Sequence, residues 1–243
     1  TPSNSSAASD VYKRQNLLRH QIWNMGIHDT KVMAIISKIL KAEIVGEGTP
    51  EKGTPQGGVL SPLLANIVLN DLDQWIASQW ENFPSRHQYS RGKLHRALKG
   101  TTLKEGYLVR YADDFKVLTR SYSMAKRWYT AIKGYIENHL KLEISPAKSG
   151  ITNLRKKRTE FLGFEIKAVS RGEKYTARSY VSKTSKQAMI KQLRETIKRI
   201  QGNPGYVNLL NYKILGMHNY YRIATTVSVA FSEIDYELSL IHI

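Results

Sequence analysis

Apolar residues recur at three- and four-residue steps in four stretches of this chain, and that spacing predicts helices. Residues 16 to about 45 form the first helical region, with Ile22, Met25, Ile35, Ile36, Ile39 and Leu40 expected inside and Asp29 in an inter-helix turn. From Leu60 the series Leu63, Leu64, Ile67, Val68, Leu72, Trp75 and Ile76 gives a long amphipathic helix over Pro62 to about Trp80. Ser61 suits its N-cap and Pro62 its first helical position. Ser123 to Leu140 repeats the pattern through Met124, Trp128, Ile132, Tyr135, Ile136 and Leu140. Ser182 can cap a fourth helix, with Met189, Leu193, Ile197 and Ile200 inward and Lys183, Lys186, Lys191, Arg194 and Lys198 outward. Gly202-Asn203-Pro204-Gly205 breaks it.

Elsewhere the pattern is that of strands. Gly106 to Tyr111 and Phe115 to Thr119 are rich in aromatic, β-branched and aliphatic side chains around a short polar turn, which predicts a β-hairpin. Along its first strand Val109, Tyr111 and Asp113 share one face and Leu108, Arg110 and Ala112 the other. Leu142 to Ile144 and Glu160 to Ile166 read as short strands. Glu81 to Gly106 is a polar, basic connection, either partly disordered or in contact with RNA, and no internal repeat is visible. Helices beside short strands of this kind give an α+β fold class.

The chemistry concentrates at the tip of the hairpin, Asp113-Asp114. Hard divalent cations such as Mg2+ favour carboxylate oxygen and leave room for substrate phosphates, and a pair of them can clamp both oxygens of an in-line phosphoryl transfer. Asp113 reads as the principal metal ligand and Asp114 as the second. Alone, the pair is better explained as an ordinary turn, because Asp is common in turns. The block upstream changes that balance: Gln56-Gly57-Gly58 leaves bare backbone just before a helix N-terminus, where a nucleotide or template sugar can approach and a phosphate is favoured.

Charge points the same way. The 243 residues carry a formal +17, and from Ala147 to Ile200 there are fifteen Lys/Arg against four Asp/Glu, a net of +11, densest at Arg155-Lys156-Lys157-Arg158. Any one lysine is best read as solvated, but a cluster with so few acids attracts phosphate backbones. A 41% hydrophobic content is enough for a core. No stretch of eighteen apolar residues and no signal-peptide pattern is present, so no membrane partner is expected. The absence of cysteine excludes disulfides and thiolate zinc sites, and the seven histidines have no ligand spacing.

Taken in order, these residues resemble group II intron reverse transcriptases, the RNA-directed DNA polymerases that double as splicing maturases. Gly53 to Asp73 (GTPQGGVLSPLLANIVLNDLD) is similar to the family's motif B, Arg110 to Phe115 (RYADDF) to motif C, and Leu140 to Ile151 to motif D. Phe161-Leu162-Gly163-Phe164 resembles the primer grip, and Lys183 to Tyr221 the maturase-specific thumb called domain X. The resemblance covers about Asn16 to Tyr236 and implies a partial polymerase palm over residues 16–170, followed by an α-helical thumb over 171–237. It implies a Mg2+ site at Asp113 and Asp114, nucleotide or template contacts at Pro55, Gln56, Gly57, Tyr111 and Ala112, and a primer grip at Leu162 and Gly163. For Lys148 it implies a nucleotide-facing role, as a general acid for the leaving pyrophosphate or as a point charge. Arg155, Lys156, Lys157, Arg158, Lys183, Lys186, Lys191 and Arg194 become the RNA-binding candidates. Tyr220 and Tyr221 are candidates for base stacking, with packing the commoner fate of such aromatics. The implied partners are intron RNA, an RNA template with a DNA primer, and dNTPs, in a bacterial or archaeal cytoplasm; target DNA is a further partner that the resemblance leaves open.

The departures matter as much. The family places a further catalytic Asp, in motif A, on a strand ahead of this region, and neither Asp10 nor Asp29 has the expected surroundings. Residues 1–15, Ser/Ala-rich, and residues 238–243 resemble nothing in the family and read as sequence joined to a fragment lacking motif A and the fingers. On this reading the parent polymerises while the chain alone is inactive. The alternatives are an RNA-binding maturase without polymerisation and, more distantly, a CRISPR-associated or retron-like reverse transcriptase.

Overall fold

In the computed structural model the described residues are 16–40, 60–83, 87, 90, 102–147 and 149–240. The chain divides into two compact units, residues 1–151 and 152–243. The expected palm–thumb boundary at 170/171 falls inside a β-hairpin of the second unit. Among the described residues both units mix helices with small antiparallel sheets, one of two strands and one of three.

In the first unit α1 (residues 16–24) and α2 (Thr30–Leu40) are separated by a turn in which Gly26 has φ +93°. Asp29 starts α2 by accepting from the backbone N–H groups of Lys31 and Val32, at 2.7 and 3.2 Å. α3 spans Ser61–Gln79; its N-cap is Leu60, so Ser61 is the first helical residue and not the cap. Leu18, Ile22, Met33, Leu40 and Leu64 join α1, α2 and α3 in one core cluster. Met25, Ile35 and Leu63, expected inside, are exposed at 53%, 56% and 56%. Met25 lies beyond the end of α1, and Ile35 and Leu63 each neighbour an apolar residue that takes the inward position. Successive helical residues are about 100° apart, so adjacent apolar residues cannot both point to the core.

β1 (Gly106–Tyr111) and β2 (Asp114–Thr119) form the expected hairpin, followed by α4 (Tyr122–Gly134), capped by Ser121 accepting from Met124 N–H. The helix widens at its end into a π-helical turn, Tyr135–His139, which brings Ile136 and Leu140 into the same core as Trp128 and Ile132. Leu72 and Ile76 of α3 and Leu103 complete this second cluster. The Trp128 indole lies so close on Gly106 that a Cβ there would sit 2.3 Å from the ring. Leu142 to Ile144 is not a strand. Its alternation is real, with Leu142 and Ile144 packed on this core, but among the described residues it has no ladder partner.

In the second unit the expected strand Glu160–Ile166 is two strands, β3 (Thr159–Phe161) and β4 (Phe164–Arg171), with a turn at Leu162-Gly163. β4 pairs onward with β5 (Lys174–Val181), giving the sheet order β3-β4-β5. α5 (Lys183–Gly202) is capped by Ser182 as expected, and the break at Asn203 leads through a 3-10 turn, Pro204–Tyr206, into α6 (Val207–Tyr221) and α7 (Val227–Ser239). Val181, Met189, Leu193, Ala224, Ala230 and Ile234 form its core. Leu238 and Ser239, expected outside the fold, belong to α7, and Leu238 packs on that core. Among the described residues no helix is long and apolar enough to cross a membrane.

Candidate active site and nucleic-acid interface

Pairing of Tyr111 with Asp114 leaves Ala112 and Asp113 as a two-residue hairpin loop. Ala112 has φ +52° and Asp113 is not in the left-handed region, the pattern of a type II′ turn, in which glycine is the usual first residue. An alanine held there is strained by about 1–3 kcal/mol and persists only if its surroundings enforce it. Asp113 occupies the loop and Asp114 opens β2; both are exposed, and neither carboxylate has a partner among the described residues. Cross-strand partners share a face, so Tyr111 and Asp114 lie on the outer side with Val109 and Lys116, while Leu108, Phe115 and Val117 turn toward the second core.

Arg110 supplies the enforcement. Its Nε donates to both carboxylate oxygens of Asp73 at 2.8 and 2.9 Å, and its Nη2 donates to Asp73 Oδ2 at 2.6 Å. Nη1 donates to Asn66 Oδ1 at 2.8 Å and to the carbonyl oxygen of Ala112 at 2.7 Å. Asn66 and Asp73 are seven residues apart, two helical turns, and so face the same way from α3. One guanidinium therefore ties the strained residue of the loop to the helix of the upstream block. A second hub lies beside it: Asp71 accepts from Gln21 Nε2 at 3.2 Å and meets His139 Nε2 at 3.1 Å. Tyr135 stacks on Trp75 with centroids 4.3 Å apart, and burial, reinforced by the Asp71 carboxylate, pushes its phenol up to about 12.

In the second unit, Leu162 (φ +52°) and Gly163 (φ +76°) form a two-residue turn in the type I′ pattern between Phe161 and Phe164. Tyr220 donates to the carbonyl of Leu162 at 3.1 Å, and both Tyr220 and Tyr221 pack on Phe164. A Cβ on Gly163 would meet Ser185 Oγ at 2.8 Å and the Tyr221 hydroxyl at 3.0 Å, so the protein itself fills that space. Arg155 lies over the Tyr175 ring at 4.2 Å and Arg158 over Tyr180 at 4.1 Å. Arg158 also donates to Glu165 at 2.8 Å, a hydrogen bond that lowers the Glu165 pKa. Lys156 and Lys157 are exposed in the preceding turn. Along α5, Lys183 and Lys191 are exposed, whereas Lys186 pairs with Glu233 and Arg194 with Glu237 at 3.2 Å, both acids on α7.

The model of the family described as "Reverse transcriptase (RNA-dependent DNA polymerase)" matches residues 14–166, more than half the chain. The chain belongs to the reverse transcriptase family. Group II intron-encoded protein LtrA of Lactococcus lactis subsp. cremoris is 31% identical over 186 residues, 59% of this chain and 31% of that protein. Protein YkfC of Escherichia coli K12 is 31% identical over 144 residues, 53% of this chain and 37% of that protein. A Saccharomyces cerevisiae protein described as a COX1/OXI3 intron 2 protein is 24% identical over 282 aligned positions, 89% of this chain and 33% of its own. The chain thus spans about a third of the length of these relatives.

For this reverse transcriptase chain the donor chemistry of Asp113 and Asp114 fits a hard divalent cation, since both are accessible, adjacent and uncommitted to other partners among the described residues. Among the described residues no group of three or more acidic, His or Cys side chains forms a larger ligand set. Tyr111 and Ala112 stand at the same loop, while Pro55, Gln56, Gly57 and Lys148 lie outside the described residues. Sequence reasoning missed Asn66, Asp73 and Arg110 as a positioning set. The available signal was an Arg directly before the Tyr-Ala-Asp-Asp run and two polar residues, Asn66 and Asp73, seven apart and so on one face of the amphipathic helix.

Proposed function

We propose that this chain carries the catalytic turn and the thumb of a group II intron reverse transcriptase and maturase, a protein that copies RNA into DNA and binds its own intron RNA to aid splicing. The observation that carries the reading is the exposed Asp113-Asp114 loop, held in a strained conformation by Arg110 against α3. Strain retained in this way at an accessible carboxylate pair is characteristic of functional sites. Residues 16–170 are read as partial palm and 171–237 as thumb. Asp113 and Asp114 would hold Mg2+, which when bound neutralises phosphoryl oxygens and activates an attacking hydroxyl. Asn66, Asp73 and Arg110 fix the loop against which nucleotide and primer end must align. Pro55, Gln56, Gly57, Tyr111 and Ala112 line the nucleotide and template path, Lys148 faces the nucleotide, and Leu162 and Gly163 lie along the primer. Template RNA, DNA primer, dNTPs and intron RNA are the partners on this reading, with target DNA left open, in a bacterial or archaeal cytoplasm.

The test is made in a full-length parent. Asp113→Asn abolishes extension of a primer on an RNA template while RNA affinity stays within about twofold, because phosphate attraction comes from the cations and not from this site. Asp114→Asn is damaging and milder. Wild-type extension by Asp113→Asn would remove the assignment. A second reading, an RNA-binding maturase without polymerisation, is favoured by the small donor set among the described residues. Two adjacent carboxylates are few for a two-metal site, so the chain alone is expected not to extend a primer. Extension by the purified chain that Asp113→Asn abolishes overturns that expectation, and splicing assistance that survives Asp113→Asn without extension by the parent favours the second reading.

A further inference from the structure

The β4–β5 hairpin carries an arrangement of charge that folding alone does not explain. Lys167 sits directly across from Arg178, and Arg171 directly across from Lys174. Cross-strand partners and residues two or four apart along a strand share a face. All four cations therefore lie on one side of the ribbon, in two pairs roughly 13 Å apart at the usual rise per residue, with Val169 and Thr176 between them. Like charges directly opposite repel, and among the described residues no acid relieves them: none of the four side chains forms an ion pair or hydrogen bond. The acid on the same face, Glu165, is engaged by Arg158, and Glu173 is in the two-residue turn at the tip. Arg171, Lys174 and Arg178 are exposed and Lys167 is half-buried. On α5 the opposite holds, since Lys186 and Arg194 are matched with acids of α7.

We propose that this face of the β4–β5 ribbon is a binding site for a polynucleotide phosphate backbone, with Lys167, Arg171, Lys174 and Arg178 as the contacting residues and Tyr180 under Arg158 closing the row toward the body of the unit. The inference rests on the nucleic-acid reading above and adds to it a site. A polyanion is the ligand that turns the mutual repulsion of the two pairs into attraction, and each neutralised phosphate releases condensed counterions. Backbone contacts read neither base nor sugar, so RNA and DNA single strands both bind there.

The experiment measures binding of a short fluorescent single-stranded RNA and of its DNA counterpart to the whole chain across a tenfold salt series. Lys167→Ala with Arg178→Ala removes two contacts and makes the slope of log affinity against log salt shallower by about 1.4 for either probe. Lys126→Ala with Arg127→Ala, exposed on α4, makes the same change in net charge and leaves the slope nearly unaltered. Lys167→Glu supplies a second readout independent of activity: it puts an acid opposite Arg178, so the midpoint of thermal unfolding rises while binding weakens. A higher midpoint with unchanged binding means a solvated face and overturns the proposal, as do equal losses in the two double variants. If the wild-type chain binds steeply and Lys167→Ala with Arg178→Ala changes nothing, the proposal alone falls. If the wild-type chain binds neither probe, the nucleic-acid reading falls with it.

Discussion

Arg110 does at the scale of one residue what neither aspartate can do, because a strained loop keeps its shape only when something outside it holds the backbone. Its three guanidinium nitrogens together reach Asp73, Asn66 and the carbonyl of Ala112. A lysine ammonium cannot reproduce that fork. Arg110→Lys is expected to destabilise the first unit by about 2 kcal/mol, between the cost of a lost charged hydrogen bond and that of a broken buried pair, because the Asp73 side chain keeps 27% exposure. Urea unfolding measures it, and in a full-length parent extension falls at least tenfold while RNA affinity holds; unchanged extension would make Arg110 merely structural. Tyr135 gives a pH test. Its phenol is raised from 10.0 to about 12, so the folded protein keeps a proton that the unfolded chain has already lost. The associated stability is intact below about pH 10 and is lost between there and about pH 12. Tyr135→Phe removes that part of the alkaline decline, which chemical unfolding at pH 9 and pH 11 compares with wild type; an identical decline in both proteins would contradict it.

At the scale of elements, α7 alters how the cations of α5 are read. From sequence the outer stripe of α5 looked uncompensated, yet Glu233 and Glu237 lie opposite Lys186 and Arg194, 47 and 43 residues along the chain. Both pairs are partly exposed and such pairs contribute at most about 1 kcal/mol. RNA can therefore compete for them at small cost, and Glu233→Gln with Glu237→Gln is expected to raise RNA affinity at low salt by about fivefold, the equivalent of roughly 0.5 kcal/mol for each pair released. For the same reason Ala substitution of Lys186, Lys191 and Arg194 together flattens the salt slope by about one unit and not three, Lys191 being the member without an acid among the described residues. Affinity unchanged in the glutamine variant would place these cations outside the RNA contact. The hairpin of the aspartate pair, the cap at Ser182 and the break at Asn203 were legible because each is written within a few neighbouring residues. β5 was not legible, since Lys174 to Arg178 is exposed on both faces and carries no apolar period. The division of Glu160 to Ile166 was hidden because Leu162, an apolar residue in left-handed backbone, is an unusual turn former.

For the whole molecule, charge and family motifs were legible at once, whereas the site's support was not: the Arg110 clamp joins residues 37 and 44 positions apart, a distance that period and propensity do not span. The same long-range packing closes a core in each unit separately, Leu72 with Trp128 and Ile132 in the first and Leu193 with Val181 and Ile234 in the second. Two cores that share no residue predict two unfolding events and not one. Leu72 and Leu193 are 0% and 3% exposed, so truncating either to alanine costs about 2–5 kcal/mol, transfer of the lost methyls plus the cavity left behind. That is a fall of at least about 8 °C in the midpoint of the smaller second unit and at least about 4 °C in that of the first. Calorimetry of the chain should resolve two transitions, with Leu193→Ala lowering one and Leu72→Ala the other, each leaving its neighbour within about a degree. One transition that both substitutions shift equally would mean that the units unfold as a single cooperative body, and the separate cores would then not be independent sources of stability.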